Sequence, residues 1–134
     1  MKILVVDDDQ TNRLVVRFLL EMRGFTILEA DGGHAALDVM AREALDLVFM
    51  DLHMPAPDGF ATTRMIRSQM PECTVPIIAL TSLVSDDVVA ECRAAQMNGF
   101  IAKPFGMPDA IRLQALMADG AAARPVQADS WIIG

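Results

Sequence analysis

The reactive side chains of this sequence stand where short apolar runs end. Asp7 and Asp8 follow the first such run, Asp51 the third, Thr81 the fourth and Lys103 the fifth. If these runs are parallel strands of one sheet, their carboxyl ends share an edge, which is where ligands bind in open α/β sheets. The spacing therefore predicts that carboxylates, a hydroxyl and an ammonium converge on one site.

Such a site has a definite chemistry. Carboxylates about 4 Å apart repel each other by roughly 4 kcal/mol at an effective dielectric of about 20, so positive charge must relieve them. Oxygen ligands suit a hard divalent cation, Mg²⁺ by abundance, and Lys103 adds an ammonium. Cation, ammonium and the Thr81 hydroxyl together can neutralise the three oxygens of a phosphoryl group. We therefore expect a phosphoryl-binding site with Mg²⁺ as its cofactor.

Short strands and longer amphipathic helices alternate in a pattern that can position these residues. Strands are predicted over 3–6, 25–29, 47–50, 76–80 and 100–102. Helices are predicted over 11–22, 34–42, 60–70, 85–97 and 108–117. Four of the five strand runs are continuously apolar, which is typical of parallel strands covered on both faces. The alternation predicts one doubly wound α/β sheet with right-handed crossovers.

Composition excludes several other classes of protein. The 134 residues are 53% hydrophobic with a net charge of −7, which favours one folded domain and argues against direct binding to nucleic acid or an anionic membrane. Cys73 and Cys92 fit neither a disulfide framework nor a zinc site. No apolar run is long enough to span a membrane and no signal peptide begins the chain, so we expect a cytoplasmic protein.

Residues 119–134 differ in character from the rest of the chain. We assign 1–118 to the domain and 119–134 to a linker and tail. The tail ends in Trp131, Ile132 and Ile133, which we expect to dock on an apolar surface because a cluster of this kind seldom stays ordered in water.

Four motifs in order resemble the receiver domain of two-component response regulators. They are VVDD at 5–8, MDLHMPAPDG at 50–59, ALTS at 79–82 and FIAKPF at 100–105. The resemblance extends over about residues 2–118. It implies the flavodoxin-like (βα)5 fold of the chemotaxis regulators, with a five-stranded parallel sheet in the order 2-1-3-4-5.

The resemblance also implies a role for each acidic residue. Asp51 is the phosphoacceptor, which takes a phosphoryl group from a phosphohistidine as an acyl phosphate. Asp8 and Asp51 bind Mg²⁺ together with the backbone carbonyl of His53. Asp7 acts on the cation directly or through water. The His53 side chain is expected to be exposed in its loop.

The remaining motif residues are assigned in the same way. Lys103 pairs with one phosphoryl oxygen and Thr81 donates a hydrogen bond to another. Phe100 occupies the aromatic switch position, so that Thr81 and Phe100 carry the signal to the surface around the fourth helix, the fifth strand and the fifth helix. The Lys103–Pro104 peptide bond is expected to be cis, since only X-Pro bonds adopt that form cheaply.

The expected partners follow from the resemblance. The phosphodonor is a histidine kinase or a histidine phosphotransfer domain, and the receiver of the signal is an output domain or protein. Asn12 and the stretch 58–67 are similar to receivers of hybrid sensor kinases, while the start of the chain is similar to single-domain regulators. A homodimer is a further alternative. The domain catalyses its own phosphorylation and dephosphorylation and turns over no external substrate.

Two other functions are compatible with parts of the sequence. The run DDDQT at 7–11 matches the nucleophile loop of haloacid-dehalogenase-type phosphatases. That family needs a further acidic motif after its lysine, whereas only isolated acids follow Lys103 (Asp109, Asp119 and Asp129), and it leaves the Asp51 loop unexplained. A receiver-like scaffold that is never phosphorylated is the second, but every key position of the receiver motifs is filled here. Separately, Asp9 is expected to cap the first helix, and Asp58-Gly59 is expected to be a turn and helix entry.

Overall fold

The computed structural model describes residues 1–118 and the backbone of residues 132–133. The strands are β1 (Lys2–Val6), β2 (Thr26–Ala30), β3 (Leu47–Asp51), β4 (Ile77–Thr81), β5 (Gly99–Ala102) and β6 (Ile132–Ile133). The helices are α1 (Gln10–Glu21), α2 (Gly33–Arg42), α3 (Gly59–Gln69), α4 (Asp86–Ala94) and α5 (Met107–Ala118). None of the described helices is both long enough and apolar enough to cross a membrane.

All strands are parallel, and the sheet runs β2-β1-β3-β4-β5-β6. The predicted doubly wound sheet with the order 2-1-3-4-5 is confirmed. The sixth strand was not predicted, because two residues are too few to show a pattern. Its backbone pairs Ile132 with Gly99 and Ile133 with Phe100 at the β5 edge. The predicted docking of Trp131 lies outside the described residues.

The register of the sheet brings the strand ends to one edge. Val6 at the end of β1 lies beside Met50, which precedes Asp51 in β3. Asp51 in turn pairs with Leu80, and Thr81 pairs with Ala102. Asp7, Asp51, Thr81 and Lys103 therefore follow one another across the same edge, although up to 96 residues separate them in the chain.

The two faces of the sheet carry separate apolar cores. Ile3 and Val5 of β1 pack with residues of α1 and α5, whereas Leu4 and Val6 pack with residues of α2, α3 and α4. Both sets are fully buried. Alternation along a strand is lost when each face is covered by helices, which explains why the strands read as continuous apolar runs.

Side chains that the sequence places before helices act as their caps. The Asp9 carboxylate accepts hydrogen bonds from the amides of Thr11 and Asn12 at the start of α1. Asp58 accepts one from the Ala61 amide at the start of α3. The cap predicted at Asp9 and the helix entry predicted at Asp58-Gly59 are both confirmed, and α1 and α3 thereby gain fixed starting points beside the site.

Helix α4 is shorter than predicted. The sequence pattern extends to residue 97, but α4 ends at Ala94 because Gln96 adopts a left-handed φ of 69°. The amide of Met97 then donates to the Cys92 carbonyl and that of Gln96 to the Arg93 carbonyl. This pair of bonds is the Schellman arrangement, which satisfies the last carbonyls of the helix and turns the chain into β5.

The loop after β5 is anchored to β3. The Lys103–Pro104 bond is cis as predicted, and Ala56–Pro57 is also cis. The ring of Phe105 meets that of Phe49 edge-to-face, with centroids 5.5 Å apart. The Lys103 amide donates to the Thr81 carbonyl at 2.8 Å. These contacts hold the loop that carries the Lys103 side chain close to the strand that ends in Asp51.

Gly59 allows α3 to begin directly against the end of β3. A Cβ at this position would overlap the Asp51 carbonyl oxygen and lie 2.9 Å from the Leu52 Cα. Both neighbours are backbone atoms, so they cannot yield by changing a rotamer. The absence of a side chain at Gly59 is therefore a packing requirement of the segment that holds Asp51.

We expect Gly59→Ala to lower the free energy of unfolding by about 2 kcal/mol, because the added methyl group overpacks a rigid contact. Gly32→Ala is the matched control, since nothing lies within 4 Å of a Cβ there and its φ of −178° suits any residue. Urea denaturation measures both changes. Equal and small effects at the two positions would contradict the packing requirement.

Candidate functional site

Three carboxylates meet at the carboxyl edge of the sheet. Asp7, Asp8 and Asp51 each offer one oxygen, and these oxygens lie within 4.8 Å of one another. Asp7 and Asp51 are only 1% and 2% exposed, whereas Asp8 is exposed. The site thus has two buried acids at its base and one at its mouth, which is the set that the sequence analysis proposed.

Lys103 supplies the positive charge at the base of the site. Its Nζ lies 3.3 Å from Asp7 Oδ2 and 3.1 Å from Asp51 Oδ1. One ammonium is therefore shared by two buried carboxylates. Because the described cluster holds three acids and one base, it retains an excess of negative charge that a cation could balance.

The buried charges shift each other's ionisation. Burial raises the pKa of Asp51, and the charge of Asp7 raises it further, against the opposing hydrogen bonds from Lys103 and from the His53 amide. Burial alone would lower the pKa of Lys103, but Asp51 and Asp7 outweigh it and the pKa is raised. Lys103 therefore stays charged. The unfavourable effect of burying these groups together is seen in the raised pKa of Asp51, whose charged form is disfavoured.

The Asp7 carbonyl has a partner that the sequence analysis missed. Arg13 Nη1 donates to this oxygen at 2.6 Å, and Arg13 Nε donates to Glu29 Oε1 at 3.0 Å. Arg17 Nη1 binds the other Glu29 oxygen at 2.7 Å. Arg13 and Arg17 are four residues apart on α1, so a shared helix face was visible in the sequence, but their common partner on β2 was not.

His53 lies at the rim. Its side chain is exposed, as predicted, and its amide donates to Asp51 Oδ1 at 3.2 Å. The amide thus helps to orient the carboxylate. The metal-binding role that the resemblance assigns to the His53 carbonyl stays a prediction.

The two switch residues are placed differently from each other. Thr81 is buried at the end of β4, and its hydroxyl donates to the Leu83 carbonyl at 2.9 Å while accepting from the Leu83 amide at 3.1 Å. The hydroxyl is thus bound within its own loop and not to the carboxylates. Phe100 is 6% exposed and packs in the core on the α2–α4 side of the sheet.

A cavity of about 300 Å³ opens beside the carboxylates between α1 and the loop after β5. Its walls combine polar and apolar side chains, which include Asp7, Asn12, Val15, Lys103, Pro104 and Phe105. Asp9, the third residue of the run that matches the phosphatase nucleophile loop, caps α1 through the amides of Thr11 and Asn12.

Comparison with known proteins assigns the chain to a family. Residues 3–115 match the response regulator receiver domain. The chain is 36% identical over 129 residues to the osmosensing histidine protein kinase SLN1 of Saccharomyces cerevisiae, which covers 92% of this chain and 10% of that protein. It is 35% identical over 106 residues to the chemotaxis protein CheY of Pseudomonas aeruginosa, covering 78% of this chain and 86% of that protein.

Solved structures agree with the sequence relatives. The chemotaxis protein CheY4 of Vibrio cholerae superposes with a TM-score of 0.81 at 28% identity, over 87% of this chain and 97% of that one. The receiver domain of a histidine kinase from Syntrophus aciditrophicus gives 0.74 at 27% identity, over 88% and 87%. The chain spans only 5–15% of the length of its sensor kinase and hybrid kinase relatives. The chain belongs to the response regulator receiver domain family of two-component signal transduction.

Proposed function

We propose that this domain takes a phosphoryl group from a phosphohistidine onto Asp51, with Mg²⁺ held by the acidic cluster. The observation that carries the proposal is the Lys103 ammonium, which lies 3.1 Å from Asp51 and 3.3 Å from Asp7 at the carboxyl edge of the sheet. An ammonium in this position can neutralise charge on a phosphoryl group bound to Asp51.

The contacts of Asp51 favour one oxygen as the nucleophile. Oδ1 accepts hydrogen bonds from Lys103 Nζ and from the His53 amide. No hydrogen bond from the described residues reaches Oδ2, so this oxygen keeps its lone pairs for attack. It forms a bond to phosphorus while the bond between phosphorus and the donor imidazole nitrogen breaks, and the electron pair stays on that nitrogen.

The carboxylates fit the proposed cation. Asp7, Asp8 and Asp51 offer hard oxygen ligands within 4.8 Å of one another, a little more than the ~4.2 Å that separates opposite ligands of Mg²⁺. When bound, Mg²⁺ neutralises charge on the transferring oxygens and relieves the repulsion among the acids. The exposed position of Asp8 gives the ion a path from solvent to the two buried acids.

An apolar stripe along α1 and its C-cap Met22 is the surface that we assign to the phosphodonor. Leu14, Phe18 and Met22 follow one another at intervals of four residues and are 60%, 64% and 59% exposed. Val15, on the neighbouring row, is also exposed and lines the cavity beside Asp7 and Lys103. A helix of a histidine kinase or phosphotransfer domain that packs on this stripe brings its phosphohistidine to the cavity.

The output of the domain is expected to begin at the loop after β4. A phosphoryl oxygen on Asp51 competes with the Leu83 backbone for the Thr81 hydroxyl. If the hydroxyl moves, the two hydrogen bonds to Leu83 break and the exposed Leu83 and Val84 side chains move with their loop. Because Phe100 is already buried, the loop rather than the ring carries the first step of this change.

The kind of protein that contains this domain, a hybrid histidine kinase or a single-domain regulator, stays a prediction. Relatives of this chain include a hybrid signal transduction histidine kinase and a chemotaxis protein that it matches over 86% of that protein's length, so both settings stay open. The acidic net charge of −7 favours protein partners over nucleic acid or membrane lipid. A cytoplasmic location, the alternative of a homodimer and the lack of an external substrate stay predictions.

We expect acetyl phosphate and Mg²⁺ to add one phosphoryl group to the domain, at Asp51. Peptide mass spectrometry after borohydride reduction of the acyl phosphate locates the group. Asp51→Asn should abolish the label, because its amide is not a nucleophile. Label that persists at full yield in this variant would refute the assignment and favour another acceptor.

The same assay separates donor docking from chemistry. Phe18→Glu should slow transfer from an isolated phosphorylated histidine phosphotransfer domain at least tenfold and leave labelling by acetyl phosphate unchanged. Ala41→Glu, on the exposed side of α2, is the control that adds the same charge away from the stripe. If the two glutamate variants slow transfer equally, the stripe is not the docking surface.

We expect Asp51→Asn to raise the Tm by roughly 4 °C at pH 7 in EDTA, equivalent to about 1 kcal/mol. The raised pKa of Asp51 means that its ionisation weakens the fold as pH rises through that pKa, so the advantage of the amide shrinks as the pH falls towards the ordinary value of 3.8. Saturating Mg²⁺ should stabilise the wild type and remove the difference. Calorimetry with Asp38→Asn, an exposed charge change, is the control; a lower Tm for Asp51→Asn would contradict the repulsion.

Thr81→Ala should confine the effect of beryllofluoride, a phosphoryl mimic, to the pocket. In the wild type we expect amide NMR shifts to spread from Asp51 over residues 81–105, because the hydroxyl draws its loop inward. Thr81→Ser keeps the hydroxyl and should preserve the spread. Distant shifts that survive in Thr81→Ala would show that another route couples the site to the surface.

A further inference from the structure

The peptide between Asp7 and Asp8 is held by a side chain outside the acidic cluster. β1 ends at Val6, so the Asp7 carbonyl lies beyond the sheet, and Arg13 Nη1 binds it at 2.6 Å. A carbonyl held in one direction fixes the plane of its peptide. That plane ends in the nitrogen of Asp8, so the contact restricts the directions in which both Asp7 and Asp8 project their carboxylates.

Arg13 is itself held in place. Its Nε binds Glu29 Oε1 at 3.0 Å, and its side chain is only 14% exposed. Although burial disfavours the charge of Glu29, hydrogen bonds from Arg17 and Arg13 keep its pKa below the usual range, so Glu29 stays ionised. The guanidinium is therefore clamped between a charged carboxylate on β2 and the carbonyl after β1.

We propose that Arg13 is a positioning residue for divalent-cation binding, which acts through the Asp7–Asp8 peptide. The inference rests on the proposed function, because it assigns Arg13 a role toward the cation that the cluster would hold. Arg13 touches neither the cation nor the phosphoryl group. It orients the loop so that an exposed and a buried carboxylate converge without a further cost in ordering.

Two features separate this role from a merely structural one. The start of α1 does not depend on Arg13, because Asp9 caps it through the amides of Thr11 and Asn12. The charge of Arg13 and its hydrogen bond to the Asp7 carbonyl also have opposite expected effects on cation affinity. A positive charge close to the site repels a cation, so its removal by itself would tighten cation binding, whereas loss of the positioning contact weakens it.

Arg17 provides a matched control on the same helix face. It binds the other oxygen of Glu29 at 2.7 Å and carries the same charge, but it makes no hydrogen bond to the Asp7 carbonyl. Arg13→Gln and Arg17→Gln therefore remove equal charge and one partner of Glu29 each. Only the first removes the bond to the peptide of the acidic loop.

The test is titration with MgCl₂, followed by the amide NMR shifts of residues 7–9 and 51–53 without any phosphodonor. We expect Arg13→Gln to raise the Kd for Mg²⁺ about tenfold and Arg17→Gln to change it less than twofold. Arg13→Lys keeps the charge but cannot span both contacts with one planar group, so we expect it to bind Mg²⁺ weakly as well. Thermal unfolding shows whether each variant is folded. If Arg13→Gln does not fold, the Mg²⁺ affinity of Arg13→Lys tests the positioning role instead.

The outcomes are distinct. A folded Arg13 variant that binds Mg²⁺ as tightly as the wild type, or more tightly, overturns the positioning role while leaving phosphorylation of Asp51 intact. Equal weakening in the Arg13 and Arg17 variants also overturns it, since the effect would then pass through Glu29 alone. If the amide shifts of the wild type do not respond to MgCl₂, the acidic cluster is not a cation site. That result would contradict both this inference and the proposed function.

Discussion

The ammonium of Lys103 has to serve two carboxylates that the sheet buries at one edge. Asp7 and Asp51 are almost completely shielded from water, and each lies within about 3.3 Å of the same nitrogen. A buried ion pair of matched charges can be neutral or mildly unfavourable, but two acids with one base leave a charge that the protein does not compensate. The rest of the site can be understood as a response to that excess.

Several elements hold this arrangement against its own repulsion. The cores on both faces of the sheet bury the strands that carry the acids, and the edge-to-face contact of Phe105 with Phe49 anchors the lysine loop to β3. Gly59 lets α3 begin against the backbone of Asp51. Apolar burial is strong but not directional, whereas the charged groups must be oriented toward one another. The apolar cores therefore stabilise the fold, and the loops orient the charged side chains.

The same excess charge would make the site responsive to a ligand in the proposed function. A site that is already compensated would respond little to a cation or to a phosphoryl group, since a ligand can shift a conformational equilibrium only by its differential affinity. In the proposed function a bound cation would relieve the repulsion, and a phosphoryl oxygen would compete with the Leu83 carbonyl for the Thr81 hydroxyl. The hydroxyl has one proton to donate, so the Leu83 carbonyl and the phosphoryl oxygen are alternative acceptors for it.

The relatives of this chain differ in their length and domain organisation. The chain is related to a chemotaxis protein over most of that protein's length and to sensor and hybrid kinases over 5–15% of theirs. The domain is therefore found both as most of one protein and as a small module of others. In this chain the apolar stripe along α1 and the Leu83 and Val84 side chains of the β4–α4 loop are exposed, and these are the surfaces that we propose for the donor and the output.

The order of the elements and the identity of the residues at the strand ends can be inferred from local patterns in the chain. Continuous apolar runs, helical periodicity and capping side chains are local properties, so Asp9 could be recognised as a cap and Asp7, Asp51, Thr81 and Lys103 could be placed on one edge. The bond of Thr81 to Leu83, the burial of Phe100 and the reach of Arg13 to the Asp7 carbonyl are visible only in the folded chain. The same is true of the end of α4 at the left-handed Gln96 and of the pairing of Ile132–Ile133 with β5. These features depend on rotamers, single backbone angles and contacts between distant segments, and no periodic pattern in the sequence encodes them.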